Sequence, residues 1–273
     1  MRAAAAPPDA EFELLTAKIT RERGFGCASY KEKCLRRRIA VRMRARGVHT
    51  YHDYARVLDT DAAEYERLLD ALTINVTRFC RNPEAWAALD AQVLPALLTR
   101  ARTPLRVWSA GCASGEETYT LAMYLHRRAA QLGRAARAVE VLGTDIDKAS
   151  LEAAEAGRYP EPALAEMPAD LRAAYFPGAA PVEVPAAVRA LVRFRRHDLL
   201  GEPAPGGPFD LIVCRNVTIY FDKASQEALL AKFHGALAPG GVLMLGKVET
   251  LSLAQRGLFE TVDARERLFR RAP

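Results

Sequence analysis

From Pro104 onward the chain alternates short, nearly all-apolar runs with stretches of helical periodicity, and this alternation limits the fold more than any other feature of the sequence. Leu105-Arg-Val-Trp-Ser109 reads as a buried strand, followed by a glycine-bearing loop and a helix from Tyr119 to about Ala130. Val139-Glu-Val-Leu-Gly-Thr144 is a second strand, with Asp147 placed to cap a helix from Lys148 to Ala156 and Gly157 placed to end it. Val192-Arg-Phe194, Phe209-Asp-Leu-Ile-Val-Cys214 and Val242 to Leu245 supply further strands. A helix from Lys223 to Leu237 lies between the last two, and Leu268 and Phe269 close the sheet at an edge. Strands that alternate with helices imply βαβ units and a mostly parallel sheet, so the fold class is α/β over residues 104–273. Residues 158–191 carry several prolines and little periodicity, which marks them as an insertion subdomain with short strands at most.

The first hundred residues have a different character. Phe12, Leu15 and Ile19 recur at helical spacing, as do Leu35, Ile39 and Met43, and charged residues fill the intervening faces. Tyr54, Leu58, Leu68, Leu69 and Leu72 continue the pattern, with Gly24 and Gly47 as punctuation. The periodicity predicts an N-terminal all-α domain over residues 1–85 and a linking helix over 86–103 through Trp86, Leu89 and Leu97.

The formal net charge is +6, and it is unevenly spread. Between Lys31 and Arg46 stand Lys31, Lys33, Arg36, Arg37, Arg38, Arg42, Arg44 and Arg46, opposed only by Glu32. Such a block attracts an acidic partner, although a basic run is also how a solvated helix face looks. Five dispersed cysteines without CxxC spacing fit a reducing compartment and argue against a disulfide framework or a metal cluster. No run of about 18 apolar residues exists and the start lacks the apolar core of a signal peptide. The expectation is a cytoplasmic protein that does not span a membrane and holds no metal.

Five segments carry candidate chemistry. Val107 to Glu117 runs from a strand through a loop of small residues (Gly111, Cys112, Ala113, Ser114, Gly115) into a helix, which lets backbone approach a ligand closely. Glu117 has a competing role there, because Ser114 to Glu117 also fits a capping box. Leu142-Gly-Thr-Asp-Ile-Asp147 places two acids at the end of the next strand. Asp147 suits the helix cap, which leaves Asp145 to accept the hydroxyls of a ribose. His197-Asp-Leu-Leu200 follows the third strand, and His197 alone is more often a packing residue than a ligand. Cys214-Arg-Asn-Val-Thr-Ile-Tyr-Phe-Asp222 gathers Arg215, Asn216 and Tyr220 where a substrate enters an open α/β sheet. Thr73 to Pro83 adds Asn75, Thr77 and Arg81, placed to line a cleft between the two parts of the chain.

Taken in order, these segments resemble the CheR-type chemotaxis receptor glutamate methyltransferases. The resemblance rests on Asn75-x-Thr-x-Phe-x-Arg81, on Gly115-Glu-Glu117, on Thr144-Asp-Ile-Asp147, and above all on Phe209 to Phe221 with Pro239-Gly-Gly241. It implies a Rossmann-like class I methyltransferase sheet and S-adenosylmethionine as cofactor, with S-adenosylhomocysteine as product. Asn75, Thr77, Arg81, Glu117, Asp145, Asp198, Leu199, Arg215 and Asn216 are the cofactor contacts it implies. Gly111 joins them as the loop's close-approach residue. Arg81 and Tyr220 fall where the family places groups near the transferred methyl. Departures are Cys80 in place of an aromatic, Thr118 in place of a proline, and the absence of a Gly-rich loop near Phe176 to Val188. The last of these makes tethering to a receptor's C-terminal pentapeptide doubtful.

The implied reaction suits these residues. A glutamate side chain has a reference pKa of about 4.3 and is already a nucleophile at neutral pH, so no general base is required. Alignment alone can supply on the order of 7–11 kcal/mol of barrier reduction. Arg81 is expected to orient the carboxylate and Tyr220 to close the methyl channel. The acidic methylation helices of chemoreceptors are expected to dock on the basic helix, through Arg38 and Arg42. Two other readings compete: a cofactor-sensing adaptor without activity, and a nucleic-acid methyltransferase. The latter lacks the Asn/Asp-Pro-Pro-Tyr/Phe and Pro-Cys motifs, and no nucleic-acid partner is expected.

Overall fold

The computed structural model describes residues 7–73, 75–99, 104–134 and 139–272. These fall into two compact units.

The first unit is helical: α1 (Pro8–Arg23), α2 (Glu32–Ala45), α3 (Tyr51–Thr60) and α4 (Ala62–Leu72). Its core is the set that the periodicity picks out, with Phe12, Leu15, Ile19, Leu35, Ile39, Tyr54, Leu58, Leu68 and Leu72 all buried. Local chemistry sets the helix ends. Thr50 accepts the Asp53 N–H and Asp61 accepts the Glu64 N–H, each satisfying a donor that the first turn leaves free. Gly24 closes α1 in the left-handed region (φ 67°). A short later segment, Tyr220–Ser225, belongs to this unit. The Lys31 N–H donates to the Tyr220 carbonyl at 2.8 Å and the Asp222 N–H to the Ser29 carbonyl at 3.0 Å.

The second unit runs over Asn75–Ile219 and Gln226–Pro273. It opens with α5 (Pro83–Gln92) and α6 (Leu94–Thr99), then β1 (Leu105–Ala110), α7 (Glu116–Gln131), β2 (Val139–Asp145) and α8 (Lys148–Ala156). The insertion holds β3 (Arg158–Tyr159), α9 (Ala169–Tyr175), β4 (Val182–Glu183) and α10 (Ala186–Arg189), with β3 and β4 paired antiparallel. The main sheet resumes at β5 (Val192–Arg196) and β6 (Phe209–Cys214), followed by α11 (Lys223–Ala236), β7 (Leu237–Leu245), β8 (Phe259–Asp263) and β9 (Leu268–Arg271). The seven strands stand in the order β5-β2-β1-β6-β7-β9-β8. The first five are mutually parallel, and β9 runs antiparallel to both neighbours. The chain therefore reverses its strand order between β1 and β6, and a crevice at the carboxyl ends of the strands is where such sheets bind ligands.

The alternation of side chains assigns each face. Val107, Val141, Leu211, Val213, Val242 and Met244 point to one side, where Trp86, Leu89, Leu97, Leu121 and Leu125 cover them. Trp108 points to the other and packs edge-on against Phe233 of α11. Six positions of β6 in succession are buried, Asp210 among them, which accounts for its nearly continuous apolar run.

Three details depart from the reading of the sequence. The division between units falls at residue 74, not 85, because Phe79, Cys80, Ala85 and Trp86 sink into the core of the sheet unit. The expected linking helix over 86–103 is two helices, interrupted at Val93 (φ −117°, ψ −53°). Pro95 supplies the reason: it lacks the N–H that a continuous helix needs there, yet is tolerated in the first turn of α6. Residues 100–103 lie outside the described set. Finally, β9 lies inside the sheet; the edge beyond it is β8, whose half-exposed residues gave no clear pattern.

Candidate cofactor site

The loop after β1 is shaped by two glycines. Gly111 (φ 79°) and Gly115 (φ 94°) sit in backbone conformations that side chains rarely adopt. Space forbids substitution as well: a Cβ on Gly111 would lie 2.6 Å from Val217, and one on Gly115 would lie 2.7 Å from Ala154. The loop is pinned from the strand side, since the Gly111 and Cys112 N–H groups donate to the Thr144 carbonyl at 2.8 and 2.9 Å. The Tyr159 hydroxyl, from the insertion, donates to the Ser114 carbonyl at 2.7 Å.

Glu117 is not part of a capping box. The residue before α7 is Gly115, no side chain caps the helix, and Ser114 bonds Glu116 instead. The Glu117 carboxylate accepts the Ser109 hydroxyl at 3.1 Å. Burial pushes its pKa up to about 7, against the opposing pull of the Arg215 and Arg81 charges. Asp145, at the end of β2, is also buried, and burial raises its pKa although the Asp147 and Ala113 N–H groups donate to it at 3.0 and 2.8 Å. Asp147 caps α8 as expected, through the Ala149 N–H at 3.1 Å.

Past β5, the His197 N–H donates to the Asp145 carbonyl at 2.9 Å, so the ends of the two strands are held together. His197 itself is a packing residue, with its ring edge-on to Trp108 and Nε2 at 2.8 Å from the Pro203 carbonyl. Asp198 accepts the Leu200 N–H at 2.9 Å in a tight turn, and the Leu199 carbonyl accepts Lys232 Nζ at 2.6 Å.

Past β6, Arg215 is buried, and its Nη2 donates to Asn82 Oδ1 at 3.0 Å while the guanidinium lies 5.2 Å from the Trp86 ring centre. Asn216 takes a left-handed conformation (φ 61°). One residue that the sequence analysis missed holds this turn in place. Glu249 is buried, and its two carboxylate oxygens accept five donors. These are the N–H groups of Asn216, Val217, Thr218 and Gly246, together with the Thr218 hydroxyl, all at 2.6–3.0 Å. The signal was faint: one acid after Gly246-Lys-Val, outside every segment with strand or helix periodicity.

Asn75, Thr77 and Arg81 belong to the sheet unit itself. The Asn75 amide donates to Asp147, which ties the segment to the end of β2. Thr77 is half-buried. Arg81 Nη1 donates to the Val76 carbonyl at 3.0 Å, and the indole N–H of Trp86 donates to the Arg81 carbonyl at 3.1 Å. Its charge acts on both Glu117 and Arg215. The unit thus gathers Gly111, Glu117, Asp145, Asn75, Arg81, Arg215 and Asn216 around the carboxyl ends of β1, β2 and β6. Tyr220 lies in the helical unit, 5.8 Å from the Arg38 guanidinium.

The expected docking residues need correction. Arg42 is not a free cation: its Nε and Nη2 bind the carboxylate of Glu64, a fully buried acid, at 3.0 and 2.6 Å. Arg38 donates to the Ala71 carbonyl at 2.6 Å. The cations that α2 does expose are Lys33, Arg37 and Arg44, with Val41 among them. Their spacing of three and four residues puts all four on one stripe.

A pair of buried acids at a glycine-lined turn suits a ligand that carries positive charge and a ribose, and comparison with known proteins agrees. A family model described as the CheR methyltransferase SAM binding domain matches residues 75–268, and one described as the CheR all-alpha domain matches 10–73. A chemotaxis protein methyltransferase of Listeria monocytogenes is 38% identical over 247 residues, covering 89% of this chain and 92% of that one. Namesakes from Klebsiella aerogenes and Escherichia coli K12 are 36% and 33% identical, over 92% and 91% of this chain and 87% of each relative.

Proposed function

The chain belongs to the CheR methyltransferase family and is an S-adenosylmethionine-dependent methyltransferase of chemotaxis; from that premise we propose that its acceptors are glutamate side chains of chemoreceptors, converted to methyl esters. The observation that carries the reading is the pair of guanidinium groups, Arg81 and Arg215, whose charges reach Glu117. A cationic wall beside the cofactor locus suits an acceptor that arrives as an anion and leaves as a neutral ester.

The residues fit the cofactor. Glu117 and Asp145 offer carboxylates to its ammonium and ribose hydroxyls, Gly111 admits its backbone-close portion, and Asn75, Thr77, Asp198, Leu199, Arg215 and Asn216 are the further contacts proposed. When bound, the cofactor supplies an electrophilic methyl on a sulfonium. Arg81 orients the acceptor carboxylate. Tyr220 is kept as a second catalytic group on the family resemblance alone. An ionised glutamate needs no base, so the protein's contribution is alignment and exclusion of water. Lys33, Arg37 and Arg44 offer an exposed stripe for an acidic helix of the receptor, a reading that moves the docking role from Arg38 and Arg42.

The test uses a purified receptor cytoplasmic fragment and S-adenosylmethionine labelled on the methyl. Label should enter a fragment with glutamates at its methylation positions and not one with glutamines there. Equal labelling of both would contradict the glutamate assignment. Binding of cofactor without transfer to any receptor fragment would favour a sensing adaptor.

A further inference from the structure

The crossover from β5 to β6, residues 197–208, contains only turns. A parallel crossover ordinarily carries a helix that packs on the sheet. Here Lys232 of α11 takes the carbonyls of Leu199 and Glu202 instead, which draws the connection toward α11 and away from the outer strands. As a result α11 covers Trp108 on this face, while the face of β2 and β5 beside it lacks a covering helix among the described residues. The opposite face of the same two strands is covered, with Phe194 against Tyr119 of α7.

The uncovered face holds a groove of about 430 Å³, lined in part by Arg106, Glu140, Leu142, Leu191, Arg193 and Phe209. Register puts Arg106 opposite Glu140 and Leu142 opposite Arg193, so their side chains share this side; Arg195 stands one pleat further along β5. Arg193 and Arg195 are exposed and make no ion pair among the described residues. Arg193 and Arg195 thus flank a half-buried leucine, with Glu140 as the acid beside them, while Arg106 already donates to the Gly207 carbonyl at 2.7 Å. Arginines on an edge strand discourage pairing with a second copy of the chain. The same charges favour an occupant of opposite sign.

We propose that this face of β2 and β5 docks an acidic, amphipathic helical segment of another protein, which lies where the missing crossover helix would lie. Its leucine-type residues rest on Leu142 and the groove floor, and its carboxylates meet Arg193 and Arg195. The groove lies toward the amino ends of β1 and β2, where Arg106, Val139 and Glu140 line it, and not at their carboxyl ends, where the cofactor residues are proposed.

A fluorescein-labelled model helix, with leucine at positions i, i+3, i+4 and i+7 and glutamate on its other faces, tests this on the full chain. It should bind with an affinity that falls with salt and should perturb the backbone amide resonances of β2 and β5. R193E/R195E should weaken it at least tenfold with cofactor affinity unchanged, and the milder R193Q/R195Q pair should weaken it less. K33E/R37E should leave it unaltered. Absence of binding, binding indifferent to both arginine pairs, loss caused only by the α2 changes, or equal binding of a lysine-for-glutamate version of the peptide would each overturn the proposal.

Discussion

Glu117 shows how a side chain reports on its pocket. Its folded pKa is about 7 because burial disfavours the charge. An acid raised in this way stabilises the fold fully below its unfolded value, and that contribution fades as pH rises through about 7. Ligand-free protein should therefore lose stability over this window, and Glu117→Gln should flatten the loss in thermal melts across pH. A cation bound beside it favours the ionised form. S-adenosylmethionine affinity should thus rise as pH climbs toward about 7 and level off above it, with proton release on binding below that pH measurable by calorimetry in buffers of different ionisation heat. An affinity that is flat with pH would remove Glu117 from the site. Glu249 holds the turn at residues 216–218, which is proposed to meet the cofactor. Hydrogen bonds to a charged group contribute roughly 1.5–3 kcal/mol, so Glu249→Gln should raise the Michaelis constant for cofactor about ten- to a hundredfold while the fold survives, and Glu249→Asp should recover part of it. An unchanged constant would make Glu249 a purely structural hub.

Among the elements, legibility followed the strength of the periodic signal. Strands β1, β2 and β6, helix α8 with its Asp147 cap, and the helical core from Phe12 to Leu72 could all be read directly, because burial on a fixed face leaves a repeating pattern. The break at Val93 and the edge strand β8 could not, since the first depends on one proline inside an apolar run and the second is half-exposed. The placing of Asp145 and Arg215 at strand ends could also be read from the sequence, and the structure puts them at the ends of β2 and β6. The roles of Asn82 and Glu249 depend on partners 133 and 31–33 residues away in the chain, which no local pattern records. Arg42 was misread for the same reason: its partner Glu64 lies on another helix. That pair makes a prediction for the helical unit. Burial works against the Glu64 charge, but Arg42 and Tyr54 outweigh it and hold the pKa below the ordinary carboxylate range. The stability it gives is present above the unfolded value and lost as pH falls through the folded one. Glu64→Gln should destabilise the helical unit by about 3–5 kcal/mol, read by chemical denaturation, and should blunt its acid unfolding. The loop after β1 is equally unforgiving. Gly115→Ala adds a side chain at φ 94° and 2.7 Å from Ala154, a strain on the order of 1–3 kcal/mol, and should reduce cofactor binding along with stability.

At the scale of the whole molecule, a parallel sheet supplies strand ends of the kind that bind nucleoside-type ligands, and the residues before β1 add Asn75 and Arg81 to the same unit. The helical unit contributes an exposed basic stripe, Lys33, Arg37 and Arg44 with Val41, which is proposed to dock an acidic receptor helix. No helix among the described residues is long and apolar enough to cross a membrane. The central claim is that the methyl from S-adenosylmethionine goes to a carboxylate. A methyl ester is hydrolysed by alkali to methanol, whereas a methyl on nitrogen or carbon is not. Receptor fragment labelled by the wild-type chain should release its label as volatile methanol after mild alkali, and Arg81→Ala should lower the amount of label without changing that lability. Label that survives alkali, or an Arg81→Ala chain with wild-type turnover and Michaelis constant, would contradict the account.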